Sequence, residues 1–410
     1  MLNIIGLGYI GLPTALMFAS HGVEVVGTDY NPEIIKKLQA RELPFEEKGM
    51  PELFEDALAN DVRFSVDYQV TDKYIIAVPT PFNKRKTKLE TKYIVAALNS
   101  VLDVCQKNSI IIIESTVSPG TIDKYLRPEI TKRGFKLGKD IHLVHAPERI
   151  IPGNMVYELV HNSRIIGSDS PEIGKEVKDL YSTFCQGEIH LSSIQSAEMS
   201  KVVENTYRDV NIAYANEILK ICQESGMDAY EIIRLANLHP RVNILQPGPG
   251  VGGHCIPVDP WFLVGDYPLL TNVILASRKV NDSMPEYVIE RIYQILQEHT
   301  SIELERVGIY GLTYKENVDD TRESPTLQLL EKMKRNLAKP LKVYDPFINE
   351  SLVENQIFSF DEFLKEIDFV VIMVNHTEIL ENLDALDGMV ILDTKNIYKS
   401  EDKDKKIYKL

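Results

Sequence analysis

Residues 2–29 read LNIIGLGYIGLPTALMFASHGVEVVGTD, and this stretch decides the fold of the first half of the chain. Residues 2–5 form a short apolar strand, followed at once by Gly6-Leu7-Gly8-Tyr9-Ile10-Gly11 and an apolar helix from Pro13 to His21. The next strand, Glu24 to Thr28, ends at Asp29, 18 positions after Gly11. A lone GxGxxG is a weak signal, but strand, glycines, helix, strand and a terminal acid in this order make a strong one. Gly6 permits a tight turn, Gly8 lets backbone approach a pyrophosphate, and Gly11 allows close packing of helix on strand. The helix N-terminus then faces the phosphates. Asp29 is placed to accept hydrogen bonds from the adenosine ribose and to repel a 2′-phosphate, so the expected cofactor is NAD rather than NADP.

Strands and helices go on alternating beyond this unit. Tyr74 to Val78 is a buried strand ending in Pro79-Thr80-Pro81, and Ile110 to Ile113 is another, ending in Glu114-Ser115-Thr116. Leu143-Val144 leads a third into His145-Ala146-Pro147-Glu148-Arg149. Ligands of doubly wound sheets lie outside the carboxyl ends of the strands, which places Thr80, Thr116 and Glu148 near cofactor and substrate. Thr116 reads equally well as a helix cap before Pro119. Glu148, between a proline and an arginine at a strand end, is harder to explain as structure.

From Gln195 to Glu224 the pattern becomes one long helix, spanning ~45 Å at 1.5 Å per residue. Met199, Val202, Val203, Ile212, Ala215, Ile218, Leu219 and Cys222 form its apolar face. Lys201 and Asn205 are one turn apart and point the same way, with a solvated face as the ordinary explanation. A helix from Ala229 to Leu238 leads through HPRVN into residues 246–261, QPGPGVGGHCIPVDPW. Its glycines and prolines bar a helix or paired strand from running through. Free cysteines are usually buried and inert, yet a core cysteine gains nothing from GPGVGGH in front of it. Cys255 on this loop, with Asp259 four residues on, suggests a covalent nucleophile beside a group that manages protons or water. Helices over Ile274–Asn281 and Glu286–Glu298 complete a mostly helical middle segment whose length suits a dimerisation core.

After Glu305 the α/β alternation returns. Strands are expected at 306–310, 342–344 (ending at Asp345), 369–374 and 390–392, and Ser324-Pro325 opens a helix as cap and first residue. This second, smaller Rossmann-like domain lacks the full glycine fingerprint. The tail, Ser400 to Leu410, reads as a frayed end. The chain is therefore α/β. A Rossmann domain is expected at 1–194, a helical central domain with the cysteine loop at 195–300, and a second Rossmann-like domain at 301–410.

Composition supports a soluble globular protein of two or three domains: 410 residues, 44% hydrophobic and 26% charged. A formal charge of −15 argues against nucleic-acid binding and requires local cations for any anionic ligand. Cys105, Cys185, Cys222 and Cys255 are widely spaced and fit no zinc pattern, so no metal is expected and a reduced, cytoplasmic setting is. No leader and no membrane-spanning run is expected.

Taken in order, GLGYIG, ESTVSPGT, HAPERIIPG, AEMSKVVENTYRDVNIA, GPGVGGHCIPVDP and GLTYKENVDDTRESP resemble the UDP-sugar 6-dehydrogenase (UDP-glucose/GDP-mannose dehydrogenase) family over essentially the whole chain. The resemblance implies oxidation of a nucleotide sugar's C6 alcohol to a carboxylate with two NAD, through a thiohemiacetal and thioester on Cys255. It makes Lys201 the cation at the developing oxyanion, Asn205 its neighbour, and Glu148, Asp259 and Thr116 the groups that position water and move protons. It assigns cofactor contacts to Gly6, Gly8, Tyr9, Ile10, Gly11, Asp29, Pro79, Thr80, Ser115, Thr116 and Arg322. Substrate contacts fall to Glu148, Arg149, Lys201, Asn205, Arg241, Asn243, Gly250, Gly253, Tyr314, Lys315 and Lys395. Arg241 is expected to reach the neighbouring subunit of a homodimer.

The sequence departs from the UDP-glucose pattern at His254-Cys255-Ile256-Pro257-Val258-Asp259. That variant, with HPRVNI and DPW, resembles the N-acetylhexosamine branch, and UDP-N-acetylmannosamine is the expected substrate, for surface polysaccharide precursors. UDP-N-acetylglucosamine and UDP-glucose are the alternatives. A two-electron dehydrogenase of the β-hydroxyacid type would need neither Cys255 nor a third domain, and a silent nucleotide-sugar sensor could lose Lys201, Glu148 and Cys255.

Overall fold

The computed structural model describes residues 1–83, 88–335, 339–398 and 406–410. Two compact units emerge, Met1–Glu204 and Asn205–Leu410.

The strands of the first unit are β1 (Leu2–Ile5), β2 (Val25–Thr28), β3 (Arg63–Ser65), β4 (Lys73–Ile76), a small hairpin of β5 (Phe82–Asn83) and β6 (Lys88–Leu89), β7 (Ser109–Ile113), β8 (Ile141–His145), β9 (Arg164–Ser168) and β10 (Ile189–Ser192). Eight of them form one sheet in the order β10-β9-β8-β7-β4-β1-β2-β3. Its centre is parallel, whereas β9 pairs antiparallel with β8 and β10 follows β9 in parallel. The sequence IIII in β7 illustrates why such a strand needs no polar alternation. Ile110 and Ile112 face the core formed with α1 (Gly11–Ser20) and α3 (Met50–Ala59), while Ile111 and Ile113 face the core under α4 (Lys92–Val104). Sequence reading missed β3, β9 and β10, because RFS, RIIGS and IHLS each hold no more than two apolar residues and so form no apolar run of strand length.

After α2 (Pro32–Gln39), α5 (Arg127–Lys132), α6 (Met155–His161) and α7 (Pro171–Tyr181), helix α8 (Ile194–Glu224) carries the boundary between the units. Val202, Ala215, Leu219 and Cys222 are buried as expected, but Val203 points outward. In the second unit, α9 (Ala229–Ala236) leads to the cysteine loop. A helix does enter the end of that loop: α10 (Asp259–Asp266) starts at Asp259, with Pro260 in its first turn, where a missing N–H costs nothing.

The two helices expected on either side of Ser283 are one, α11 (Asn272–Glu298), with Pro285 inside it. An interior proline costs about 3 kcal/mol. Buried Met284, Val288, Ile292 and Ile295 on one face, each contributing ~1.5–3 kcal/mol, outweigh it.

The second sheet is wholly parallel. Its strands are β11 (Val307–Tyr310), β12 (Lys342–Tyr344), β13 (Phe369–Ile372), β14 (Val390–Asp393) and β15 (Ile407–Lys409), in the order β12-β11-β13-β14-β15. Alternation again divides β13 between two cores, Phe369 and Val371 on one side, Val370 and Ile372 on the other. Strand β15 corrects the expectation of a frayed tail, of which residues 400–405 lie outside the described set. Ile407, Tyr408 and Leu410 bury apolar surface, and the Tyr408 hydroxyl bonds Glu298 on α11 at 3.0 Å. Ser324 and Pro325 open α12 (Pro325–Arg335) as read, the Ser324 hydroxyl accepting the Leu327 N–H at 3.3 Å.

Candidate active site

In the first unit each glycine of the opening turn has a different reason to be there. Gly6 has φ +89°, and a Cβ on it would lie 2.7 Å from the Ala77 carbonyl oxygen. A Cβ on Gly11 would lie 1.9 Å from the Gly6 carbonyl oxygen. Gly8 is exposed, with nothing within 4 Å of the same position, so an anion can approach its backbone. Asp29 is buried, and its carboxylate ties the turn to the strand end: Oδ2 accepts the Leu7 N–H at 2.8 Å and Oδ1 the Asn31 N–H at 2.9 Å. Each oxygen keeps a lone pair for a ribose hydroxyl. Tyr9 and Ile10 are half-buried, Tyr9 packing on Phe45 with centroids 4.4 Å apart. The residues present fit an NAD.

The turns after β4 and β7 are tied together. Thr80 Oγ1 donates to the Thr116 carbonyl at 2.7 Å, and Ser115 Oγ to the Val78 carbonyl at 2.8 Å, while Pro79 between them is exposed. Glu148, in the loop after β8, is buried rather than presented to solvent. Its Oε1 accepts the Arg149 N–H at 2.6 Å, and Oε2 lies 2.5 Å from Arg164 Nη2. Arg149 is half-buried, paired with Glu204 and donating to the Ser163 carbonyl at 3.1 Å. Beyond Arg164 lies Glu114, 3.8 Å from Nη1 and hydrogen-bonded by the Tyr181 hydroxyl at 3.0 Å. Burial, with the Glu148 charge adding to it, pushes the Glu114 carboxyl up to about 8. Sequence reading missed Arg164 as a site residue; the available signal was an arginine opening the apolar strand RIIGS.

Lys201 and Asn205 are both buried, so the solvated-face explanation fails for them. In the second unit, Asn205 Nδ2 donates to Asp259 Oδ2 at 2.6 Å, holding a carboxylate that is itself buried. Asp259 is placed by Cys255, whose carbonyl accepts the N–H of Val258 at 3.1 Å and of Asp259 at 2.8 Å. The cysteine side is exposed while the carboxylate at the helix start is inside.

Upstream, α8 guides the chain into the loop with two asparagines. Asn211 Oδ1 accepts the Leu245 N–H at 2.9 Å and its Nδ2 donates to the Asn243 carbonyl at 2.8 Å; Asn216 Oδ1 accepts the Gly248 N–H at 2.9 Å. Arg241 and Asn243 are themselves exposed.

Three of the loop glycines leave room for neighbouring protein. A Cβ on Gly252 would stand 2.5 Å from Tyr314 Cβ and 2.9 Å from the Glu323 carbonyl, and one on Gly253 would stand 2.9 Å from the Tyr314 ring. Gly250 meets Pro325 in the same way, at 3.0 Å. Gly253 N donates to the Arg322 carbonyl at 2.8 Å. The turn after β11 is therefore clamped on the cysteine loop, bringing Tyr314 and half-buried Lys315 to it. Burial, with the Asp320 charge adding to it, pushes the Tyr314 hydroxyl up to about 12, so it is a hydrogen-bond donor at neutral pH. The Arg322 side chain grips Asp320, Nε lying 2.9 Å from Oδ1.

Lys395 follows β14 and is half-buried, its ammonium pKa lowered by desolvation. Asp393 holds its turn, accepting the Lys395 N–H at 3.0 Å and the Lys409 ammonium at 2.9 Å. Among the described residues no group of three or more His, Cys, Asp or Glu side chains could hold a metal ion.

An accessible thiol on a rigid loop, with a buried carboxylate fixed four residues on, can do acyl chemistry at cysteine. Comparison with known proteins bears on what precedes that chemistry. Residues 1–185 match the NAD binding domain of the UDP-glucose/GDP-mannose dehydrogenase family, 195–283 its central domain and 308–400 its UDP binding domain. A UDP-N-acetyl-D-mannosamine dehydrogenase of Methanocaldococcus jannaschii is 40% identical, over 97% of this chain and 92% of that one. An NDP-N-acetyl-D-galactosaminuronic acid dehydrogenase of Ralstonia nicotianae is 36% identical, over 98% and 96%. The native structure of the UDP-N-acetyl-mannosamine dehydrogenase Cap5O from Staphylococcus aureus superposes with TM-score 0.88 at 42% identity, covering 100% of this chain and 97% of that one.

Proposed function

The chain belongs to the UDP-glucose/GDP-mannose dehydrogenase family of NAD-dependent oxidoreductases, and from that premise we propose that it oxidises C6 of UDP-N-acetyl-D-mannosamine from alcohol to carboxylate. The observation that carries the four-electron reading is Cys255, exposed on its glycine loop with Asp259 held by Asn205 at the start of α10. A two-electron dehydrogenase has no use for this arrangement. The sugar rests on the mannosamine relatives and on HPRVNI, GGHCIP and DPW in the sequence.

Bound NAD supplies a two-electron hydride acceptor, and one is consumed at each of two steps. Loss of a hydride and a proton turns the C6 alcohol into an aldehyde. The Cys255 thiolate adds to the carbonyl carbon, giving a thiohemiacetal whose oxyanion Lys201 steadies by charge. Loss of the second hydride leaves a thioester. Water adds to it and the thiolate departs, releasing the carboxylate. One alcohol, one water and two NAD thus become one carboxylate, two NADH and three protons. Asn205 and Asp259 order water or the same oxygen, while Glu148 and Thr116 move protons. Tyr314, Lys315 and Lys395 hold the nucleotide sugar, the two lysines supplying cations against the overall charge of −15.

The working unit is proposed to be a homodimer. Tyr207, Tyr214 and Ile221 stand seven residues apart along α8, each more than half exposed, and Leu238 is 72% exposed. Such a stripe is what a second copy would cover, with exposed Arg241 reaching the partner's substrate. No described helix is long and apolar enough to cross a membrane. The product would be a uronate donor for surface polysaccharide, made in the cytoplasm. Within the chain, 1–194 would bind NAD, 195–300 would carry the nucleophile and the dimer face, and 301–410 would bind the UDP-sugar.

The test is NADH formed per sugar consumed, with kcat/KM for UDP-N-acetylmannosamine, UDP-N-acetylglucosamine, UDP-N-acetylgalactosamine and UDP-glucose under one set of conditions. Two NADH per sugar and the mannosamine nucleotide as best substrate are expected. One NADH per sugar ends the thioester reading, and a better gluco or galacto substrate ends the sugar assignment alone.

A further inference from the structure

Glu148 has a buried partner that the proposed chemistry does not use. Arg164 lies at the start of β9, 5% exposed along its side chain, with Nη2 2.5 Å from Glu148 Oε2 and Nη1 3.8 Å from Glu114 Oε1. Its guanidinium is centred 4.6 Å from the Tyr181 ring and 5.4 Å from the Phe184 ring, so it cannot swing away without leaving two aromatic faces. The charged and titratable groups around it come from every neighbouring element. They are Glu114 from the end of β7, Glu148 from the loop after β8, Tyr181 from α7 (Pro171–Tyr181), and Cys185 just beyond. His145 on β8 turns Nδ1 to the Ile113 carbonyl and is held neutral by burial.

We infer that Arg164 is a positioning residue for Glu148, shared with Glu114 in a three-group cluster whose proton count decides how firmly Glu148 is held. This rests on the reading of Glu148 as a group used in thioester hydrolysis. Two buried carboxylates around one guanidinium carry a net negative charge, which a dry interior resists. A proton on Glu114 makes the cluster neutral and leaves the guanidinium to Glu148 alone. Glu148 is then fixed at both oxygens, by Arg164 on one and the Arg149 N–H on the other. Removing the proton sets a second carboxylate competing for Arg164, and the hold on Glu148 loosens. Burial already favours the proton on Glu114 up to about pH 8, so neutral solution keeps the firm state.

The experiment follows hydrolysis of the Cys255 acyl intermediate in single turnovers with UDP-N-acetylmannosamine and NAD, by acid quench and intact-protein mass. Glu148→Gln, Arg164→Met, Arg164→Lys and Glu114→Gln are compared with the unmodified enzyme from pH 6 to 9.5. Glu148→Gln is expected to slow hydrolysis about 10²-fold while sparing the first hydride transfer. Arg164→Met should slow the same step at least tenfold with KM little changed, and Arg164→Lys should recover part of it. Hydrolysis by the unmodified enzyme should weaken above about pH 8, and Glu114→Gln should remove that weakening. Slow hydrolysis in Glu148→Gln with normal hydrolysis in Arg164→Met overturns the inference. If Arg164→Met does not fold, an identical alkaline limb in Glu114→Gln and unmodified enzyme overturns it instead. Normal hydrolysis in Glu148→Gln overturns the underlying role of Glu148, a distinguishable result.

Discussion

The Asp345 carboxylate accepts the Leu312 backbone N–H at 2.6 Å, immediately after the glycine turn that follows β11. The first sheet has the same device in Asp29 and Leu7, at 2.8 Å. In both turns the glycine has positive φ, +89° at Gly6 and +99° at Gly311, and its N–H bonds the end of the second strand at 2.8 Å. The two turns then diverge in what reaches the acid. Asp345 also accepts the N–H of Thr313 and of Phe347, and His376 Nε2 lies 3.2 Å away with Phe347 stacked on its ring. Asp29 stays free to take a ribose, whereas Asp345 is walled in by its own domain.

One dinucleotide per chain is therefore expected at saturation, bound in the first unit. Equilibrium titration with NAD should give a stoichiometry near one, and Asp345→Ala should leave the choice between NAD and NADP unchanged. That variant strands several buried N–H donors and should lose about 3–5 kcal/mol of stability, measured by denaturant unfolding. Burial alone would raise the Asp345 pKa, but His376 and the backbone N–H donors lower it below its ordinary value. A carboxyl lowered in the fold adds stability above its unfolded pKa, and that share is lost as pH falls through the folded one.

Asp29→Ala should raise the KM for NAD roughly tenfold and relax discrimination against NADP, since the repelling charge is gone. Initial rates with both cofactors measure this. Equal kcat/KM for NAD and NADP in the unmodified enzyme would contradict the role given to Asp29.

Cys255→Ala should lower overall turnover about 10³-fold or more, as for other covalent nucleophiles. The side chain is exposed, so the melting temperature should move little. Carboxylate produced at near the normal rate would end the thioester mechanism.

The Glu114 pKa, raised by burial to about 8, gives a stability signature of its own. A carboxyl with a raised folded pKa holds its proton in the fold after the unfolded chain has lost it. Stability from this group is complete below the unfolded pKa near 4.5 and is lost as pH rises to about 8. Glu114→Gln carries no such penalty, so its melting temperature relative to the parent should rise between pH 5 and 9. Parallel melting curves across that range would show that the carboxyl titrates normally.

Mixing Cys255→Ala with Arg241→Ala subunits, each inactive alone, should restore measurable activity if Arg241 serves the partner's substrate. Sedimentation of a fully active monomer would refute the shared site.

The sequence by itself determined what depends on neighbours along the chain. GLGYIG and the acid at Asp29, the apolar strands, the helix at 195–224 and the composition around Cys255 are local signals, because φ limits, periodicity and turn chemistry act over a few residues. Tertiary structure alone decided how groups distant in sequence share one environment. Lys201 and Asn205 look solvated by spacing and are buried, since the faces of α8 are chosen by what packs on them. The missing Cβ atoms of Gly252 and Gly253 make room for Tyr314, some 60 residues on. Pro285 sits inside α11 because burial on one face exceeds the cost of one lost hydrogen bond. Strand β15 forms because its apolar side chains complete a core that the tail's own sequence does not announce. Arg164, Glu114 and Glu148 lie on three separate segments, and only the sheet, whose antiparallel β8–β9 pair sets the start of β9 beside the carboxyl ends of β7 and β8, makes them one cluster.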